Sequence, residues 1–196
     1  MDSPINIKEK IAYENMSFFW SNAISFQEKR ILDVGFGLGF NSKMMSELGA
    51  DVYGVEPDKE AYDYAISNNM INKDKAFNCT LQELPNELVG TFDIVIVFLY
   101  NISYSERDEI AKMLAKAVKK DGFVIIGLHD NIYINGDQFM PPISQTISPY
   151  FENVKVSKIN YAIGNKCFIV ATQPVQNLEH HDSMPRISNK KYCYVI

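Results

Sequence analysis

Short apolar runs alternate with amphipathic stretches along most of this chain. Residues 30–34, 51–55 and 76–79 have the length and apolar content of strands, as do the longer runs 92–99 and 123–128. Between them the pattern turns helical. Residues 41–48 precede Gly49, a plausible helix stop, and 57–69 begin at Pro57, which a first helical turn tolerates. In 105–120, Ile110, Met113, Leu114, Ala117 and Val118 recur at helical spacing, and Asp121-Gly122 marks the end. Residues 5–28 read as an aromatic-rich helix carrying Tyr13, Phe18, Phe19, Trp20 and Phe26. Residues 81–88 read as a loop or short helix broken by Pro85, and 131–148 as a polar connection with a helix late in it. Residues 154–161 and 167–172 predict a hairpin around Ile163-Gly164-Asn165-Lys166, followed by a tail.

Strands alternating with helices predict an α/β fold: a three-layer α/β/α sandwich with a mostly parallel, seven-stranded sheet and an antiparallel C-terminal hairpin strand. The expected organisation is one domain over 1–174 and a tail over 175–196. A hydrophobic fraction of 46% and a charged fraction of 22% fit a globular chain. The net charge of -5 argues against a phosphate backbone as main partner. Three cysteines without a CxxC pair fit a reducing compartment, so a cytoplasmic location is expected. No metal-ligand set is expected.

The candidate chemistry sits at the first strand's end, in Asp33-Val34-Gly35-Phe36-Gly37-Leu38-Gly39. Three glycines allow a sharp turn and close approach of a ligand, and the following helix directs free N–H groups at it. Glu56 closes the next strand, about 20 residues on, where a carboxylate accepts both ribose hydroxyls of a nucleoside. A dinucleotide fingerprint G-x-G-x-x-G requires a third glycine where Phe40 stands, which disfavours a nicotinamide oxidoreductase. The stretch matches D/E-x-G-x-G-x-G at every fixed position and resembles the S-adenosylmethionine (SAM) site of class I, Rossmann-like methyltransferases. That resemblance implies SAM as cofactor, Asp33 near its ammonium group, and Gly35, Phe36, Gly37 and Gly39 around it. It further implies Glu56 on the ribose, Pro57 and Asp58 flanking the adenine, and Phe98 beside the methionine arm. The family's loop acid aligns with Thr80, a departure that leaves the Leu81 N–H for the ring nitrogen. Gln82 and Glu83 are alternatives for the side-chain contact.

Methyl transfer from a sulfonium is an in-line displacement, in which the protein aligns a nucleophile and, for an oxygen or nitrogen acceptor, supplies a base. Tyr100, Asn101 and Tyr104 follow the fourth strand, and His129 and Asp130 the fifth, at the strand ends where ligands bind in such folds. His129, Tyr100 and Tyr13 are the candidate catalytic residues, with Tyr13, Phe19 and Trp20 as a candidate lid. The acceptor is read as a small molecule or a protein side chain. Two other readings stay open: a SAM-sensing module that moves no methyl, and a membrane-recruited effector. The latter rests on Cys193-Tyr194-Val195-Ile196, which resembles a prenylation box downstream of Arg186, Lys190 and Lys191.

Overall fold

The computed structural model describes residues 4–99, 104–129, 143–161, 164–175 and 193–195. The chain divides into two compact units, 1–86 and 87–196.

The first unit opens with α1 (Pro4–Ser21). Its buried side is Ala12, Asn15, Met16, Phe18 and Phe19, while Tyr13 and Trp20 are both 55% exposed. Phe19 meets Phe18 and Phe26 edge-on at 5.6 and 5.0 Å. The helix was expected to reach residue 28. It stops earlier because Ala23 adopts φ 54° and the Ile24 N–H turns back to the Phe19 carbonyl at 2.9 Å. Strand β1 (Arg30–Val34) pairs in parallel with β2 (Asp51–Val55), Arg30 opposite Asp51 and Val34 opposite Val55. Strand β3 (Ala76–Phe77) extends this parallel set beyond β2 and is two residues shorter than the expected 76–79. Helix α2 (Phe40–Glu47) connects β1 to β2 and packs against α1. Gly49 ends it at φ 88°, with the Gln27 amide packed where a Cβ would stand. Helix α3 (Lys59–Ser67) connects β2 to β3. It ends short of the expected residue 69, where Asn69 turns to φ 52°.

The second unit orders its strands β4-β5-β7-β6-β8. Strand β4 (Phe92–Leu99) runs parallel to β5 (Val118–His129), connected by α4 (Tyr104–Ala117). In β4, Ile94, Val95, Ile96 and Val97 are all buried. Because successive side chains point to opposite faces, both faces of that strand are covered. The helix expected over 105–120 gives way at Val118, where the Gly90 N–H caps the Ala117 carbonyl at 3.1 Å and Val118 pairs with Phe92. The next aligned pair is Ile94 with Phe123, so Lys119–Gly122 bulge out of the ladder. Lys119 Nζ reaches Asp93 Oδ1 at 2.8 Å across this bulge, and a Cβ on Gly122 would lie 2.6 Å from the Asp93 carbonyl oxygen. After α5 (Ile143–Ile147), β6 (Phe151–Tyr161) and β7 (Gly164–Pro174) form the predicted antiparallel hairpin, each longer than expected. Strand β7 also pairs antiparallel with β5. An eighth strand, β8 (Cys193–Val195), pairs in parallel with β6 inside the stretch expected to be tail.

Candidate cofactor site

The site is built in the first unit, where β1 and β2 end side by side. Asp33 comes from inside β1, next to the buried Ile31 and Leu32, and is itself 1% exposed. Past Val34 the backbone leaves the ladder through Gly35 (φ 68°), Gly37 (φ 56°) and Gly39 (φ 81°). The Gly35 N–H still donates to the Val55 carbonyl at 2.8 Å, anchoring the loop's start on β2. The glycines have different reasons. A Cβ on Gly39 would come within 2.6 Å of Met70 Cβ, so that position is fixed by packing. Among the described residues, a Cβ on Gly35 or Gly37 would meet nothing within 4 Å. These two face open space, the room a closely approaching ligand needs.

Two carboxylates border the loop and are held differently. Glu56 follows β2 and is 7% exposed. Its Oε2 accepts the Gly37 N–H at 2.7 Å and its Oε1 accepts the Asp58 N–H at 2.9 Å. The side chain thus ties the glycine loop to the start of α3 while each oxygen keeps a further lone pair. Asp58 caps α3, its Oδ1 accepting from the Glu60 and Ala61 N–H groups at 2.8 and 3.1 Å. Asn78 Nδ2 donates to the Glu56 carbonyl at 2.8 Å, pinning this corner from the loop after β3.

Asp33 has one hydrogen-bond partner among the described residues. Ser42, on the first turn of α2 and fully buried, donates its Oγ proton to Asp33 Oδ2 at 2.6 Å. Burial pushes the Asp33 carboxyl up to about 7; the Ser42 hydrogen bond lowers it and nearby Glu56 raises it. A buried acid held at the edge of ionisation beside open space suits a ligand carrying its own positive charge. The buried Asp33, the open Gly35 and Gly37 and the tethered Glu56 fit an amino-acid-bearing nucleoside.

The remaining candidates have settings of their own. The Phe36 side chain is 4% exposed and belongs to the core: its ring lies 6.2 Å from that of Tyr62, and a Cβ on Gly54 would fall 2.5 Å from Phe36 Cδ1. Only its backbone serves the loop. Thr80 starts a short 3-10 turn, and both its N–H and its Oγ1 donate to Glu83 Oε2 at 2.9 Å. Those bonds hold the Glu83 carboxyl below the usual range, and they engage Thr80 and Glu83, two of the three side chains considered for an adenine contact. Leu81 is buried. Phe98 lies in the second unit with its ring over Gly127 of β5. His129 ends β5, its backbone paired with Lys166; its side chain lies outside the described residues, as do Tyr100, Asn101 and Asp130. Of the candidate lid, Tyr13 and Trp20 are exposed, whereas Phe19 is fully buried. The prenylation-box Cys193 starts β8, and the side chains of 193–196 lie outside the described residues.

Sequence reasoning did not identify Ser42 or Asn78. For Ser42 a signal existed: it and Met45 are the two buried residues of α2, so a hydroxyl stands on the helix's apolar stripe. A polar group in such a position has a partner to satisfy.

Comparison with known proteins follows the same stretch. A family model described as a methyltransferase domain matches residues 32–126. The ubiquinone biosynthesis O-methyltransferase of Bordetella avium is 29% identical over 102 residues, 51% of this chain. The chain spans 42% of that relative's length. Among solved structures, magnesium protoporphyrin IX methyltransferase from Synechocystis PCC 6803, with bound SAM, is similar at a TM-score of 0.63 and 14% identity. The match covers 85% of this chain and 79% of that one. The tRNA (m1A58) methyltransferase of Aquifex aeolicus is similar at a TM-score of 0.62 and 18% identity, covering 82% and 68%. The fold is therefore Rossmann-like, with a mostly parallel sheet and antiparallel C-terminal strands, as the sequence pattern predicts.

Proposed function

Because this chain belongs to the class I SAM-dependent methyltransferases, we propose that it transfers the methyl group of SAM to a small-molecule acceptor, at a hydroxyl or amine. The cofactor, when bound, supplies an electrophilic methyl on a sulfonium, and the protein's task is alignment. Asp33 receives the ammonium group. Glu56 receives the ribose hydroxyls with the lone pairs left over from its two loop bonds. The Leu81 N–H and the Pro57-Asp58 corner take the adenine. The observation that carries the reading is the buried Asp33 beside two glycines that face open space.

A small acceptor is favoured over RNA by the net charge of -5 and by the O-methyltransferase named above. A protein side chain is the second acceptor class. His129 is the base of this reading, with Tyr100 and Tyr13 as the further catalytic candidates. Calorimetry with SAM and its demethylated product tests the first half. Transfer of labelled methyl to a panel of phenols, amines, peptides and RNA tests the second. No SAM binding at millimolar concentration overturns the proposal. Binding with transfer to RNA alone overturns the acceptor class.

A further inference from the structure

Ser42 has no place in the function described so far, yet it makes the shortest side-chain bond in the site. It is 0% exposed, its Oγ lies 2.6 Å from Asp33 Oδ2, and it is the one hydrogen-bond partner of that carboxylate among the described residues. A hydroxyl has a single proton to give. Spending it on Oδ2 fixes the carboxylate plane and leaves Oδ1 uncommitted. The donor is also well placed mechanically. Ser42 sits on the first turn of α2, three residues beyond Gly39, so the bond spans the glycine loop from its strand side to its helix side. The loop is tied a second time by Glu56 at Gly37. Of the two ties, only the one at Asp33 bears on a positive charge.

We propose that Ser42 is a positioning residue that makes the site selective for the amino-acid arm of the cofactor, by orienting the Asp33 carboxylate toward an ammonium group. This rests on the methyltransferase reading of the site. Without the hydroxyl, Asp33 is a buried acid with no donor, free to turn and more resistant to ionisation. The nucleoside half of the ligand, held by Glu56 and the glycine backbone, does not sense the change. The charged groups nearby do not substitute for it: Glu56 carries the wrong sign, and Lys43 on α2 is solvent-facing and lies 4.0 Å from Glu47.

The test uses the full chain, Ser42→Ala and the near-isosteric Ser42→Cys, which retains only a weak donor. Calorimetry at pH 6.5 compares SAM with 5′-methylthioadenosine, which has the same nucleoside but no ammonium group. Both variants are expected to lose at least fivefold in affinity for SAM and less than twofold for 5′-methylthioadenosine. With SAM alone, the pH at which affinity is half-maximal is expected to move upward in both. An unchanged SAM affinity and unmoved midpoint overturn the proposal. So does an equal loss for both ligands, which marks a merely structural role. Wild-type protein that binds neither ligand overturns the methyltransferase reading and this inference together, whereas wild-type binding with indifferent variants overturns this inference alone.

Discussion

The pH dependence of SAM binding follows from the burial of Asp33. Its carboxyl is raised from an ordinary 3.8 to about 7, chiefly by desolvation. An acid with a raised folded-state value stabilises the protein only while protonated. Its contribution is complete below pH 3.8 and is lost as pH rises through about 7. At about 1.4 kcal/mol per unit, the unliganded protein loses about 4 kcal/mol across that window. On the proposed reading an ammonium group bound at Oδ1 would replace the missing counter-charge, so ligand binding and ionisation of Asp33 would be linked.

The consequence is a specific titration. Between pH 5.5 and pH 7 the ionised fraction of Asp33 rises from about 3% to about half, so SAM affinity is expected to rise about 15-fold. The ammonium itself, with an ordinary value of about 8, stays charged over this range. Calorimetry in buffers of different ionisation enthalpy is expected to show release of about 0.9 proton per SAM bound at pH 6. Asp33→Asn, a neutral mimic of the protonated acid, is expected to bind weakly at every pH, with a flat profile. A wild-type affinity constant within twofold from pH 5.5 to 7, without proton release, refutes the reasoning.

Four substitutions probe the rest of the site. Glu56→Ala removes the acceptor of the Gly37 and Asp58 N–H groups and of the ribose, and is expected to cost about 1–3 kcal/mol of SAM binding by calorimetry. Gly37→Ala and Gly39→Ala are expected to separate function from folding. At Gly37 the left-handed backbone costs about 1–2 kcal/mol in a denaturant melt, while the methyl enters ligand space and binding is lost. At Gly39 the clash with Met70 adds to the same strain, so stability falls further. Equal stability losses would contradict that division. Asp58→Ala removes the cap of α3 and is expected to cost about 1 kcal/mol of stability, read by the same melt.

The parallel core was readable because buried strands leave a mark that survives context. Ile94–Leu99 is apolar without interruption, and the structure buries Ile94 to Val97 on both faces. The boundaries that moved did so where the deciding interaction is not local. Ala23 ends α1 in a conformation better suited to glycine, made tolerable by hydrogen bonds back to the last turn. The start of β5 depends on Val118 finding Phe92, twenty-six residues upstream, and on a bulge that Lys119 and Asp93 hold closed. No window of sequence around 118 contains that partner.

The site divides along the same line. Asp33, the glycines and Glu56 stood out in the sequence because their residue types and spacing fall along one strand–turn–helix unit, and the structure brings them together. What was hidden is the set of side chains answering those residues: Ser42 for Asp33 and Asn78 for the corner after Glu56. Their partners explain why two acids so near each other behave differently. Glu56 is held by two backbone donors, which fix its orientation. Asp33 has a single hydroxyl, and burial pushes its carboxyl up. On the proposed reading, Glu56 is a preformed acceptor for a neutral sugar. Asp33 is completed only by a cation, and that asymmetry gives a nucleoside with a positively charged arm an advantage over one without.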